Sequence, residues 1–454
     1  MTIFEPGRRV HVVGVAGAGM SGVARLLSER GCVISGSDDR ASPELEELVG
    51  AGVDARVGRD PHHGEGAEVV LWSPAVAASH VELVAARERG AELVPRARAL
   101  AELGRLEPVI GLTGTHGKTT ATSMMVHVLN AAGRDDSRLV GAPVRGVGPN
   151  GHWGGPQLVL EVDESYGTFA LLEPFALGLL NVEPDHLDHY GSLDALEAAF
   201  TALVARTTGP VVAWGDDPGA SRVGAGAGRD VQWVGRDARH AWRARHVELA
   251  RRTSRFVLEG PATSLAVDLA VPGAHNVANA AVVAVLALAL GVDRADVVRG
   301  LSAFRGAPRR FQFLGVWRGA DVYEDYAHLP GEIAATLDAA REGGYRHVTA
   351  VFQPHRVTRT ATLAGTFAGA FAAASRVVVT DIYTAGEANP EGLTGEVVRD
   401  ELVALRGARD VAYARDLVGV AALLGEWTEP GDAIILLGAG DVAEVATHLS
   451  GGLA

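Results

Sequence analysis

Lysine is all but missing from this chain. Lys118 stands alone among 41 basic residues in 454, the rest being arginine, so it occupies a place where arginine would not serve. Cysteine is as scarce: Cys32 alone permits no intrachain disulfide and no cysteine cluster for zinc or iron–sulfur, which suits a reducing compartment. No apolar run is long enough to span a bilayer. The longest, Ala280 to Val292, falls short of the roughly 18–20 residues required and predicts a buried helix. A basic balance is absent too. With 41 Lys+Arg against 55 Asp+Glu the formal charge is -14, which repels a polyphosphate backbone and argues against nucleic acid as a partner. Arg8 and Arg9 before Val10–Val13 resemble the start of an export signal only superficially, because His11 and the glycines that follow read as a strand entering a turn. The expectation is a cytoplasmic protein without membrane insertion.

Against a usual domain size of roughly 100–200 residues, the length predicts about three domains. Two β-rich runs lead into glycine-rich turns and helical patterns, Val10–Val15 before Gly17 and Pro108–Leu112 before Gly114, and each opens an α/β domain. Further strands are expected at Val69–Trp72, Leu158–Val162, Ala176–Asn181 and Val211–Trp214, and helices at Pro43–Val49, Val81–Glu88 and Leu193–Arg206. Gly224–Arg245 has weak periodicity and reads as loops and edge strands. Composition changes again at Arg305–Arg310, after which strands at Val348–Phe352, Arg376–Thr380 and Ala433–Leu437 alternate with helices. The boundaries predicted are 1–106, 107–308 and 309–454, without a solenoid repeat.

The chemistry-bearing motifs follow strands. Gly17-Ala18-Gly19-Met20-Ser21-Gly22 fits G-x-G-x-x-G, with Asp38 ending the next strand. Such a turn exposes backbone amides at a helix N-terminus to a nucleotide diphosphate, and the carboxylate suits ribose hydroxyls. Gly114-Thr115-His116-Gly117-Lys118-Thr119-Thr120 is an ATP-type phosphate loop, in which Lys118 reaches β/γ-phosphates and Thr119 offers a hydroxyl to Mg²⁺. It is a shortened variant, because Leu112 stands where the general pattern asks for glycine. Asp163-Glu164-Ser165 and Asp185-His186-Leu187-Asp188 also come after strands, where α/β sheets bind ligands, so Glu164 and His186 are candidates to complete magnesium coordination. Phe352-Gln353-Pro354-His355-Arg356-Val357-Thr358-Arg359 gathers cations whose planar forks suit a carboxylate or phosphate.

Those motifs, with Gly-Ala-His-Asn-Val-Ala-Asn at Gly273 and Arg-Arg-Phe at Arg309, resemble in their order the muramyl ligases of peptidoglycan synthesis. The resemblance covers nearly the whole chain. It implies a Rossmann-like N-terminal domain that binds a UDP-sugar, a central P-loop ATPase-type α/β domain that binds ATP, and a C-terminal Rossmann-like α/β domain that brings in an amino acid. The implied reaction joins L-alanine to the carboxylate of UDP-N-acetylmuramate through an acyl phosphate, with ATP and Mg²⁺. Catalytic roles then fall to Lys118, His186, Arg310 and His355, and metal ligation to Thr119, Glu164 and His186. His275, Asn276, Asn279 and Asp325 join the loop at the nucleotide. Gly17, Ala18, Gly19, Met20, Asp38 and Ser73 take the UDP-sugar, and Arg356 and Arg359 hold the amino-acid carboxylate. The carbamylated lysine of sibling ligases is excluded, since Lys118 is already committed. Two residues depart from the family pattern: Leu329, where a second histidine is usual, and Tyr166, where an acid is common.

Other readings stay open on the residues alone. An NAD-dependent oxidoreductase would use the first fingerprint but leave the phosphate loop and the Phe352 motif unexplained. A related ligase would attach a recycled tripeptide to the same sugar nucleotide. A non-enzymatic, ATP-gated binding protein would keep the sites without turnover.

Overall fold

Short Val-, Ile- and Leu-rich runs form the strands of three separate sheets in a computed structural model, which describes residues 2–453, the Asp188 side chain excepted. The first sheet holds β1 (Arg9–Val13), β2 (Val33–Asp38), β3 (Asp54–Val57), β4 (Val69–Trp72) and β5 (Glu92–Pro95). Its order is β3-β2-β1-β4-β5, with every pair parallel. The second sheet holds β6 (Val109–Thr113), β7 (Ser137–Leu139), β8 (Gly151–His152), β9 (Leu158–Val162), β10 (Ala176–Leu179), β11 (Val211–Trp214), β12 (Gln232–Gly235), β13 (Trp242–Leu249), β14 (Ser254–Gly260) and β15 (Thr263–Leu269). They run β15-β14-β13-β12-β11-β10-β6-β9-β7-β8. The third holds β16 (Gln312–Trp317), β17 (Ala320–Asp325), β18 (Val348–Phe352), β19 (Arg376–Thr380), β20 (Val411–Ala414) and β21 (Ala433–Leu437), in the order β16-β17-β21-β18-β19-β20. Only the β16–β17 pair in it is antiparallel. This is the three-sheet α/β architecture expected.

The chain divides into two compact units. One comprises residues through 246 with 256–268 and 278–304, and so contains the first sheet together with β6–β12. The other comprises 247–255, 269–277 and the chain from 305 onward. The helix Ala274–Ala289 is the buried one anticipated from its apolar run, and residues from Ala280 to Ala287 have no exposed surface. No helix among the described residues is long and apolar enough to cross a membrane.

The stretch expected to hold loops and edge strands differs. After the helix Pro218–Gly226, β12 and β13 lie inside the ten-stranded sheet. Arginines at 236, 239, 243 and 245 hide the alternation in the sequence, while Gly224 leaves room for the Trp233 ring: a methyl group there would sit 2.5 Å from Cη2. The β16–β17 hairpin also escaped the sequence reading, as did β7 and β8.

Within the first unit, the helix that follows the G-x-G-x-x-G turn, Ala18–Glu29, packs against β7 and β8 of the second sheet. A methyl group on Gly151 would lie 1.9 Å from the Gly22 carbonyl oxygen, and one on Gly22 would lie 2.6 Å from Leu139 Cδ1. Both glycines are needed for the approach. Asn150, almost fully buried, donates from Nδ2 to the Ala18 carbonyl at 2.8 Å and to Ser21 Oγ at 3.0 Å. Asn150→Ala removes both bonds and is expected to destabilise the first unit by about 1–3 kcal/mol, read as a lower urea midpoint; an unchanged midpoint would show that the contact contributes nothing.

Candidate active site

Thr113 of β6 is in register with Val162 of β9 and Leu179 of β10, so Gly114, Asp163 and Leu180 leave the second sheet side by side. The phosphate loop therefore opens between two strand ends. Gly114 adopts φ +146 with Asn181 against it, and a methyl group there would be 2.9 Å from the Asn181 carbonyl oxygen. Asn181 fastens the loop: its carbonyl accepts from Thr115 N, its Oδ1 accepts from His116 N at 2.7 Å, and its Nδ2 donates to the His116 carbonyl. Gly117, at φ +81, caps the helix Lys118–Ala131, and a methyl group there would be 2.8 Å from Asn279 Oδ1. Asn279 thus lies against the loop.

Lys118 Nζ donates to the carbonyls of Gly114 (2.8 Å) and Thr115 (3.0 Å), and to Glu164 Oε1 (3.0 Å) and Oε2 (2.8 Å). Burial works against the ammonium, but Glu164, Asp163 and Glu161 outweigh it and hold Lys118 above the ordinary lysine range. Asp163, Glu164 and His186 place one ligand atom each within 4.8 Å of one another. Burial would raise Asp163; Lys118 and Arg96 reverse that and keep it ionised. Two carboxylates and an imidazole at this spacing suit a small divalent cation such as Mg²⁺. Thr119 points elsewhere: its hydroxyl donates to Glu161 Oε1 at 2.9 Å, while Glu161 Oε2 accepts from Gly141 N at 2.6 Å. Thr120 is buried on the helix, and His116 Nε2 lies 3.4 Å from Glu183. Asp163 joins Glu164 and His186 in the acid cluster, and its signal in the sequence was its place directly before Glu164 at a strand end.

In the first sheet, Gly17, Ala18 and Gly19 form the turn into the helix, and no side chain caps it. Asp38 Oδ2 accepts from Ala16 N at 3.0 Å, so the carboxylate fastens that turn. Met20 packs into the core, which leaves only its backbone for a ligand. Ser73 follows β4 and its Oγ accepts from Ala75 N.

The second unit carries the cationic cluster. Phe352 of β18 is in register with Leu437 of β21 and Val379 of β19, and Leu437 with Asp325 of β17, so the loops after these four strands meet. Arg359 Nη1 donates to His355 Nδ1 at 3.1 Å, and the His355 ring stacks on Tyr383 with centroids 5.7 Å apart and a 9° interplanar angle. Burial, then His328, Arg359 and Arg356, hold His355 down to about 4, so its imidazole is neutral near pH 7. Arg356 takes φ +69 and donates its backbone N–H to the Tyr383 carbonyl. Arg310 lies 4.0 Å from Glu332 and over the Tyr326 ring. Asp325, pushed up to about 6 by burial, accepts from Phe311 N and Ala327 N, both at 2.7 Å. His275 packs against Gly273, with its pKa lowered by burial to about 4, and Asn276 Nδ2 donates to the Pro272 carbonyl at 2.7 Å. Leu329 precedes the helix Pro330–Glu342, where Glu332 accepts from the amides of His328 and Leu329. Tyr383 had no motif to announce it.

Comparison with known proteins matches residues 9–107 to the Mur ligase family catalytic domain, 156–287 to the Mur ligase middle domain, and 309–440 to the Mur ligase glutamate ligase domain. A UDP-N-acetylmuramate--L-alanine ligase of Kineococcus radiotolerans is 42% identical over 453 residues, covering 97% of this chain and 95% of that protein. One of Rhizobium meliloti is 37% identical, covering 97% and 96%. The crystal structure of UDP-N-acetylmuramate-alanine ligase from Thermotoga maritima matches with a TM-score of 0.81 at 29% identity, over 97% of this chain and 98% of that one. That of a murein peptide ligase from Psychrobacter arcticus shares the fold at 23% identity, with a TM-score of 0.72 over 99% and 100%. With consecutive domain matches along most of its length and relatives well above one-third identity, this chain belongs to the Mur ligase family.

Proposed function

We propose that the chain catalyses ATP-dependent ligation of L-alanine to the carboxylate of UDP-N-acetylmuramate, a step of peptidoglycan precursor synthesis. The observation that carries this reading is identity of 37–42% over almost the whole chain to proteins named for that reaction. The site's chemistry supports it. An oxidoreductase would need neither a phosphate loop around a lone lysine nor a cluster of arginines.

Domains 1–106, 107–308 and 309–454 would take the UDP-sugar, ATP and the amino acid respectively. The substrate carboxylate attacks the γ-phosphorus of ATP, the bond to the bridging oxygen breaks, and ADP leaves. The alanine amine then attacks the acyl carbon, loses a proton, and expels inorganic phosphate. Lys118 holds the transferring phosphates, and Thr115, His116 and Gly117 present the loop backbone to them. Asp163, Glu164 and His186 would hold Mg²⁺, which supplies charge neutralisation for the phosphoryl oxygens. Asn279 orients the nucleotide from beside Gly117. His275, Asn276, Arg310 and Asp325 are assigned to it by the family resemblance.

For the amino acid, Arg356 and Arg359 supply the charge. A guanidinium only donates, so His355 Nδ1 is an acceptor and its proton sits on Nε2. Neutral His355 thus orients the carboxylate by donating from Nε2.

Phosphate release with ATP, UDP-N-acetylmuramate and a panel of amino acids is expected to rise most with L-alanine; preference for a tripeptide would overturn the proposal in favour of the recycling ligase. Lys118→Arg is expected to abolish ligation and to lower the melting temperature, because a planar guanidinium cannot occupy a pocket of two carbonyls and Glu164 built for a compact ammonium and leaves the buried carboxylate without its partner; retention of most activity would remove Lys118 from its role. Arg359→Ala should raise the KM for L-alanine by roughly ten- to a hundredfold, the loss of a charge-assisted hydrogen bond to a carboxylate. Superimposable alanine saturation curves would place the amino acid elsewhere.

A further inference from the structure

Val13, Trp72 and Pro95 lie in register across β1, β4 and β5. Gly14, Ser73 and Arg96 therefore leave the first sheet together, beside the point where its strand order reverses and where α/β sheets take ligands. Arg96 begins the helix Arg96–Leu106 and turns its guanidinium onto Gly19: a methyl group on Gly19 would come within 2.7 Å of both Cζ and Nη2. On its other side, Arg96 Nη1 is 3.8 Å from Asp163 Oδ2, too long for a direct hydrogen bond. Arg96 Nε is buried without a hydrogen-bond partner, a state that buried N–H groups rarely keep. The side chain retains 22% of its surface exposed, so it borders an open space.

We infer that Arg96 is the charged side chain of the diphosphate site in the first domain, donating from its fork to a nucleotide diphosphate seated on the backbone amides of Gly17–Gly19. This rests on the reading above that the Gly17 turn takes the UDP group, and it adds the residue that supplies the positive charge. The turn itself brings only amides and the partial charge of a helix N-terminus. A diphosphate carries more negative charge than these offset, and a planar guanidinium can meet two of its oxygens at once. The long contact to Asp163 orients the fork without occupying its donors. Gly19 has a defined part as well: its missing side chain is what lets the guanidinium reach the turn.

Calorimetric titration of the full chain with UDP and, separately, with ADP tests the assignment in wild type, Arg96→Gln and Arg96→Lys. Arg96→Gln is expected to weaken UDP binding by roughly ten- to a hundredfold, the usual worth of a charge-assisted hydrogen bond. Arg96→Lys should recover part of that loss, because it restores the charge but not the fork. ADP affinity, read at the Lys118 loop, should fall far less than UDP affinity in both, because Arg96 reaches that site only through its long contact with Asp163. Wild-type UDP affinity in Arg96→Gln would overturn the inference, and so would equal losses for UDP and ADP, which would make Arg96 a structural residue. If wild type itself fails to bind UDP, the reading of the Gly17 turn fails instead.

Discussion

The ammonium of Lys118 donates to two carbonyls of its own loop and to both oxygens of Glu164, a side chain with no exposed surface. Removing either partner would strand a buried charge, which costs about 3–5 kcal/mol. Much of the central site is organised around that pair. Gly114 and Gly117 take left-handed φ so that the loop can close over the lysine, Asn181 ties the loop to the end of β10, and Glu161 bridges Thr119 to Gly141. The order of these contacts explains why arginine, used everywhere else in the chain, is absent at this one position.

The same device recurs in each sheet. Parallel strands in register deliver consecutive loops to one edge, and the residues that follow the last paired position carry the chemistry. What differs is charge. The second sheet presents acids around a single ammonium, an arrangement for phosphates with a divalent cation. The third presents Arg356, Arg359 and a neutral His355, an arrangement for a carboxylate. The first presents a bare glycine turn, fastened by Asp38 and bordered by Arg96. The proposed ligation would use all three on one chain, since it needs a sugar nucleotide, a triphosphate and an amino acid.

Neutral His355 bears on the charge that the cluster presents. Surrounded by Arg356, Arg359 and His328, it could become an imidazolium only by adding charge to a partly buried cationic cluster, and burial adds to that penalty. It is therefore a hydrogen-bonding group, and the arginines alone give the cluster its sign. Tyr383 stabilises this state mechanically, by stacking on the ring and by pairing its backbone with that of Pro354 and Arg356.

Local signals in the sequence were enough to determine the glycine turns, the lone lysine, about half the strands and the helix at Ala274, because each depends on residues adjacent in the chain: backbone that needs glycine, apolar runs, and cation spacing within one helix start. The ten-stranded extent of the second sheet was hidden, since the arginines after β12 and along β13 mask a period that only neighbouring strands enforce. Asp163 could be seen as a strand-end acid, but its convergence with His186 depends on β9 and β10 flanking β6. The bond that the Thr119 hydroxyl donates to Glu161 of β9 joins a helix to a strand far along the chain. Arg96 against Gly19, Tyr383 against His355 and Gly151 against Gly22 belong to the same class. Each joins segments far apart in sequence, and only the register of strands and the close packing of a helix bring them together, so no spacing along the chain could have announced them.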